Sequence, residues 1–281
     1  MPRKLFCEWG PAAYAIAVTR KRIQRRLRDA FNNQRLTERK NEPLPAVIYR
    51  HKSLIRRRLG NVDMTLQENK AVNLQLAAPS VDGIVIQPRE TFSFWRAVGH
   101  CTAKKGYKDG LVITRQGPSR GVGGGLCQFT NLLHWMVLHS PLQITEHHHH
   151  DMVDLFPDYN RQVPFGVGTS IFYNYLDYRV YNPTSEAYQF KVWVTDEYLC
   201  GELRASARPP MKYHIHEEDK QFYERKSVWY RQNTLYRTAV DIDTGNEIER
   251  TLLKRSNARV MYDAALIPDV FRAGESESVT V

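Results

Sequence analysis

Cysteine is scarce and scattered. Cys7, Cys101, Cys127 and Cys200 lie far apart and form no CxxC pair. That spacing excludes a disulfide framework and a zinc ribbon and points to reduced thiols. No cofactor and no resident metal are expected, because a structural zinc site needs Cys or His pairs at defined spacing. No run of 18 apolar residues exists, so no spanning helix is expected. The opening segment makes no convincing signal peptide: Glu8, Gly10 and Pro11 interrupt it, and its uncharged stretch over residues 10–19 is short. The expected location is therefore the cytoplasm, with room for a peripheral membrane contact. The chain also lacks fixed-period repeats, a nucleotide P-loop, and any helix-turn-helix, zinc-finger or RNA-binding signature. A nucleic-acid partner is accordingly disfavoured.

What is present is a globular balance: 281 residues, 42% hydrophobic and 25% charged. The net charge of +10 is unevenly spread. Residues 20–58 carry fourteen Lys or Arg against three acids, a net of +11, and the remaining chain is at −1. Within that window, RKRIQRRLRDAF sets Ile23, Leu27 and Phe31 at four-residue spacing with arginines on the other faces. This is a basic amphipathic helix, expected either to pack by its apolar edge or to offer a surface to anionic lipid or polymer.

Three zones follow: a basic, largely helical region (1–60), a body (61–205) and a small β-rich region (206–281). In the body, residues 65–78 have helical spacing that Pro79 is expected to end. VDGIVIQP, residues 110–114, 171–181 and 188–195 read as strands, with NPTSEA as a hairpin connection between the last two. The third zone reads as short strands with a turn at residues 243–246. The expected fold class is α+β, a mixed or antiparallel sheet packed on a central cysteine-bearing helix.

Chemistry concentrates in RQGPSRGVGGGLCQFTNLLHWMVLH (residues 115–139). Four of the five residues from Gly121 to Gly125 are glycine, and a helical apolar run follows at once. Glycine lets a ligand approach the backbone, which marks Gly123, Gly124 and Gly125 as candidate binding positions. Cys127 falls in the first helical turn, where free amides and the helix dipole favour a thiolate and could hold an oxyanion between Gly125 and Gln128. The Gln128 side chain could assist, and Arg115 or Arg120 could grip a substrate carboxylate. Downstream, Glu146-His147-His148-His149-His150-Asp151 supplies candidate bases. A helix, turn and strand would return that run toward Cys127. His134 and His139 are expected to be structural.

GGGLCQFTNLLHWMVLHSPL resembles the GGGxCQ-helix signature of the VanW family, first known from a vancomycin-resistance gene cluster. The resemblance extends through QENK, ETFSFW and GYKDGLVI upstream, and through LFP, GVGTSI and LDYRVYN downstream, covering about residues 61–205. It implies a role in cell-wall metabolism or glycopeptide resistance. The implied chemistry is that of a cysteine acyl-transferase of L,D-transpeptidase type acting on a peptidoglycan precursor or stem peptide. It casts Cys127 as nucleophile, with His150 best matching the family histidine and His148 second. One departure stands out: where the family often has GxDAT, this chain has Gly168 in place of the aspartate, leaving Asp151 or Asp177 to orient a base. The competing expectation is a non-catalytic module binding an anionic cell-wall precursor or a membrane surface.

Overall fold

The computed structural model describes residues 5–31, 34–57, 63–114, 117–149, 153–157 and 162–272. Its helices are α1 (Pro11–Phe31), α2 (Met64–Val81), α3 (Phe94–Val98) and α4 (Cys127–Leu138). The strands are β1 (Arg35–Leu36), β2 (Ala46–Leu54), β3 (Val85–Ile86), β4 (Glu90–Ser93), β5 (Asp109–Thr114), β6 (Gly117–Val122) and β7 (Gln143–Glu146). They continue as β8 (Val153–Asp154), β9 (Arg179–Tyr181), β10 (Tyr188–Val194), β11 (Tyr198–Ala205), β12 (Met211–Arg225), β13 (Val228–Asp241) and β14 (Glu247–Val260). The fold class is α+β, as the residue patterning predicts.

An antiparallel sheet of order β2-β11-β10-β3 lies beside a mixed sheet of order β1-β4-β9-β7. Helices α2 and α4 pack on them around one apolar core that includes Leu74, Phe92, Phe94, Phe129, Leu133 and Phe190. Phe94 of α3 meets Phe129 of α4 edge-on at 5.5 Å, and Phe92 of β4 meets Phe190 of β10 at 5.0 Å, which ties α4 to α3 and the two sheets to each other. Strands β12, β13 and β14 form a separate antiparallel sheet that β8 joins in parallel. Buried Arg231 pairs with Asp154 at 3.2 Å and lies over the Phe165 ring, fastening that sheet to the 153–165 segment.

Several local expectations differ. Helix α2 starts where Asp63 accepts from the Thr65 N–H at 2.9 Å, and it runs through Pro79 to Val81. Burial of Ala77, Ala78 and Val81 outweighs the hydrogen bond that Pro79 cannot donate. The basic region contains a nine-residue strand, β2, paired along β11. Only the end of 171–181 is a strand. Residues 172–176 close a tight turn instead, with the Phe172 N–H donating to the Leu176 carbonyl at 2.9 Å. NPTSEA joins strands of different sheets rather than a hairpin. Asn182 organises the crossing by donating to the Ile86 and Glu186 carbonyls. The glycine-rich segment holds a second strand, β6, which forms a hairpin with β5.

Of the two orientations open to helix α1, it does not take the one that packs by the apolar edge. Ile23, Leu27 and Phe31 are 51%, 52% and 83% exposed, whereas Arg25 is 7% exposed. Arg25 makes a bidentate ion pair with Glu146 and donates to the Tyr175 carbonyl at 3.0 Å. Asp29 takes a 2.7 Å bond from Arg179, which also holds Asp177 at 2.9 Å. The helix is docked by its charged face, because a bidentate guanidinium–carboxylate pair supplies geometry that an apolar edge lacks.

Candidate functional site

The glycine run is shaped by protein neighbours. A Cβ on Gly124 would stand 2.3 Å from the Gly110 carbonyl, so the β5 backbone and the loop touch directly. Gly125 has φ +89°, and a Cβ there would meet the Lys70 side chain at 2.4 Å. A Cβ on Gly123 would meet Cys101 at 2.8 Å. The small residues expected to admit a ligand are thus required by β5, α2 and Cys101.

Helix α2 braces this loop through side chains spaced one turn apart. Asn73 donates to the carbonyls of Lys108 and Gly124 at 3.0 and 2.9 Å and accepts from the Lys108 N–H. One turn earlier, Lys70 is 6% exposed and donates to the Gln67 side-chain oxygen at 2.7 Å. Burial, with Arg57 and Arg56 nearby, lowers its ammonium to about 7. Lys70 and Gln67 were not singled out from the sequence. Their signal lay in the QENK segment, read only as part of the resemblance.

Cys127 opens α4. It keeps part of its surface in contact with solvent. Even so, burial of its thiol pushes it above the ordinary cysteine value, against backbone N–H groups of Ile171 and of Cys127 itself. Desolvation therefore outweighs the helix start expected to favour a thiolate. The Gln128 N–H is already donated to the Gly125 carbonyl at 3.1 Å. The Gln128 side chain turns away toward β2, donating to Ser53 Oγ and the Leu54 carbonyl, both at 2.8 Å. It anchors α4 to the sheet and does not face a developing oxyanion.

The segment 167–171 packs along α4 at Thr130 and Asn131. Thr169 donates to Asn131 through its N–H at 2.6 Å and its hydroxyl at 2.8 Å. The Thr130 and Thr169 hydroxyls are bonded to each other. Ser170 N–H donates to the His148 carbonyl at 2.6 Å, and the next amide, Ile171, is the one that reaches Cys127. The main chain of the histidine run and the cysteine are thus joined through two consecutive residues. His147 Nε2 pairs with the Gly168 carbonyl at 2.9 Å, and its ring stacks on His134 at 4.3 Å. Gly168 is required here as well: a Cβ would stand 2.9 Å from His149 Nε2.

His148 Nε2 meets Glu146 Oε1 at 2.9 Å. Burial would raise the Glu146 carboxyl, but hydrogen bonds from Arg25, His148 and the Asp177 N–H hold it at about 2. Glu146 is therefore a fixed anion that orients the imidazole, a role assigned from sequence to Asp151 or Asp177. Asp177 instead receives Ser93, Trp95 and Arg179. His134, 5% exposed, is lowered well below its ordinary value by burial and by His147, His149 and Lys254, and so is neutral. Among the described residues, His134 Nδ1, Ser170 Oγ and Tyr178 Oη are buried with no hydrogen-bond partner.

The structure thus links Cys127, which follows the Gly123–Gly125 loop, to the main chain of His148 through Ser170 and Ile171. Arg120 is on β6, 65% exposed and 3.1 Å from Asp63. His150, Asp151 and Arg115 lie outside the described residues. A surface cleft of about 450 Å³ is lined by Arg56, Glu68, Asn69, Val72 and Thr195, away from the cysteine and histidine chemistry.

Residues 69–204 match the family described as VanW like protein. The vancomycin B-type resistance protein VanW of Enterococcus faecalis (strain ATCC 700802 / V583) is 36% identical over 213 residues, 76% of this chain and 77% of that one. The uncharacterized protein YoaR of Bacillus subtilis (strain 168) is 40% identical over 83 residues, 30% of this chain and 27% of that one. No solved structure matches this chain.

Proposed function

The chain belongs to the VanW-like family, linked to vancomycin resistance, and from that premise we propose that it is a cysteine acyl-transferase acting on a cell-wall peptide. Cys127 is the nucleophile, and the substrate is a peptidoglycan precursor or stem peptide. The observation that carries this reading is the Glu146–His148 pair, 2.9 Å apart, tied through Ser170 to the backbone that touches Cys127. With Nε2–H directed to Glu146, His148 Nδ1 is the free acceptor. It takes the thiol proton as sulfur attacks a peptide carbonyl. The carbon–nitrogen bond then breaks, and the same proton passes to the leaving amine. The resulting thioester is resolved by an acceptor amine. His150 is the alternative base. Arg120, exposed beside the loop, is the candidate grip for the substrate carboxylate.

A stem-peptide thioester probe should add one acyl group to the protein, read by intact mass, and none to Cys127→Ala. Equal adduct yield on that variant would remove Cys127 from the reaction.

The raised Cys127 thiol favours a second reading, a non-catalytic module that holds an anionic cell-wall precursor. In that case Cys127→Ser keeps the full ligand affinity and the full resistance phenotype. Loss of the phenotype with affinity intact supports catalysis instead.

A further inference from the structure

Helix α1 presents an apolar stripe to the outside. Ile16, Ile23, Leu27 and Phe31 follow one another at seven- and four-residue spacing and are 51% to 83% exposed. Those spacings keep them on one face. Arg25, half a turn from Ile23 and Leu27, is on the opposite side and buried against Glu146. Arg26 and Arg28 are exposed on either side of the stripe, Arg20 is exposed within it between Ile16 and Ile23, and Lys21 is exposed nearer the Arg25 side. The helix has one acidic residue, Asp29, which is held by Arg179 at 2.7 Å. Trp9, just ahead of the helix, is 71% exposed.

We infer that this face of α1 docks flat on an anionic lipid surface, with Ile16, Ile23, Leu27 and Phe31 in the headgroup boundary and Arg20, Arg26 and Arg28 on lipid phosphates. An exposed apolar strip, interrupted on this helix only by Arg20, marks an interaction surface. A basic rim around such a strip is the pattern of a helix lying in a membrane interface. Charge decides among occupants. Two copies meeting stripe to stripe would bring their cationic rims together, which like-charge repulsion opposes. An anionic bilayer attracts the same rim. The docked face needs no rearrangement, since the Arg25 and Asp29 contacts already hold the stripe outward. Among the described residues no helix is long and apolar enough to cross a membrane, so the contact is interfacial.

The test is co-sedimentation of the full chain with vesicles. Binding to vesicles of phosphatidylcholine with a third phosphatidylglycerol should exceed binding to pure phosphatidylcholine by about tenfold or more. It should weaken steeply between 0.05 and 0.5 M salt, as screening by added ions requires. Leu27→Asp/Phe31→Asp should lose it while keeping the parent melting curve, because both side chains are exposed. Absence of binding to the anionic vesicles, or unchanged binding by the double variant, would overturn the inference. So would a dimer in sedimentation velocity that the double variant abolishes in a protein that ignores vesicles, since the stripe would then belong to a second copy.

Discussion

Two charged side chains at the site have opposite effects on stability. Lys70 is buried with its ammonium lowered from the ordinary 10.5 to about 7. Between those values the unfolded chain binds a proton that the folded chain does not, so stability rises with pH across that window. Lys70→Met should therefore raise stability at pH 7 by a few kcal/mol, on the order expected for a shift of that size. It should also flatten the rise seen between pH 7 and 10 in urea unfolding. A variant no more stable than the parent, with the same slope, would contradict a desolvated amine. Glu146 is the reverse case. Held at about 2 against an ordinary 4.5, it contributes stability present above the higher value and lost as pH falls through the lower one. Glu146→Gln should remove that acid-limb slope. At neutral pH it should cost about 3 kcal/mol, because Arg25 and Arg179 lose a partner where water is largely excluded. Thermal melts between pH 7 and 2.5 check both statements. Identical acid limbs in parent and variant would remove Glu146 from the account.

At the scale of elements, what was legible in the sequence was local. The glycine run followed by an apolar helix announces α4, and the turn near Gly245 separates β13 from β14; the spacing of Leu66, Val72, Leu74 and Leu76 announces α2, although Val72 and Leu76 stay exposed in it. What was not legible depends on distant partners. The apolar spacing of Ile23, Leu27 and Phe31 reads as a packing edge until Glu146 and Arg179, more than a hundred residues away, claim the opposite face. Residues 171–178 carry strand-forming residues yet turn, because Asp177 is drawn to Ser93 and Trp95. The glycines were read as a ligand cradle, since only the folded chain shows Lys70, Gly110 and Cys101 against them. The sequence points to His150 before His148 and to Asp151 or Asp177 as the orienting carboxylate, whereas among the described residues it is Glu146 that pairs with His148. Helix α1 offers a check on this reasoning. Arg25→Ala removes the bidentate latch, so amide hydrogen exchange over residues 11–31 should speed by at least tenfold while α4 stays protected. Unchanged exchange in α1 would mean that other contacts hold it.

For the whole molecule, the concentration of positive charge in residues 20–58 does not describe a free arm. Arg25, Arg39, Arg50 and Arg56 reach Glu146, Glu90, Glu202 and Glu68, and Asp29 and Glu38 take Arg179 and Arg96, so the segment is knitted to the body along its length. The basic surface that remains outward on α1 borders the lipid-facing stripe. The same latch, Arg25 on Glu146, connects that helix to the carboxylate that orients His148. The proposed membrane contact and the proposed cysteine chemistry thus meet at one residue, Glu146. The relation to the Enterococcus faecalis protein covers three quarters of both chains, well beyond the length of the GGGLCQ segment alone.

The central claim is that Cys127 is a nucleophile served by the Glu146-held imidazole of His148. The most direct measurement is the rate of Cys127 alkylation by iodoacetamide against pH, resolved by peptide mass from Cys7, Cys101 and Cys200, in the parent and in His148→Gln. The account predicts measurable alkylation near pH 7 in the parent and a loss of at least tenfold there in the variant, converging as the thiol ionises unaided at high pH. Superimposable profiles rising only above the ordinary thiol range would contradict it and leave Cys127 a buried packing residue.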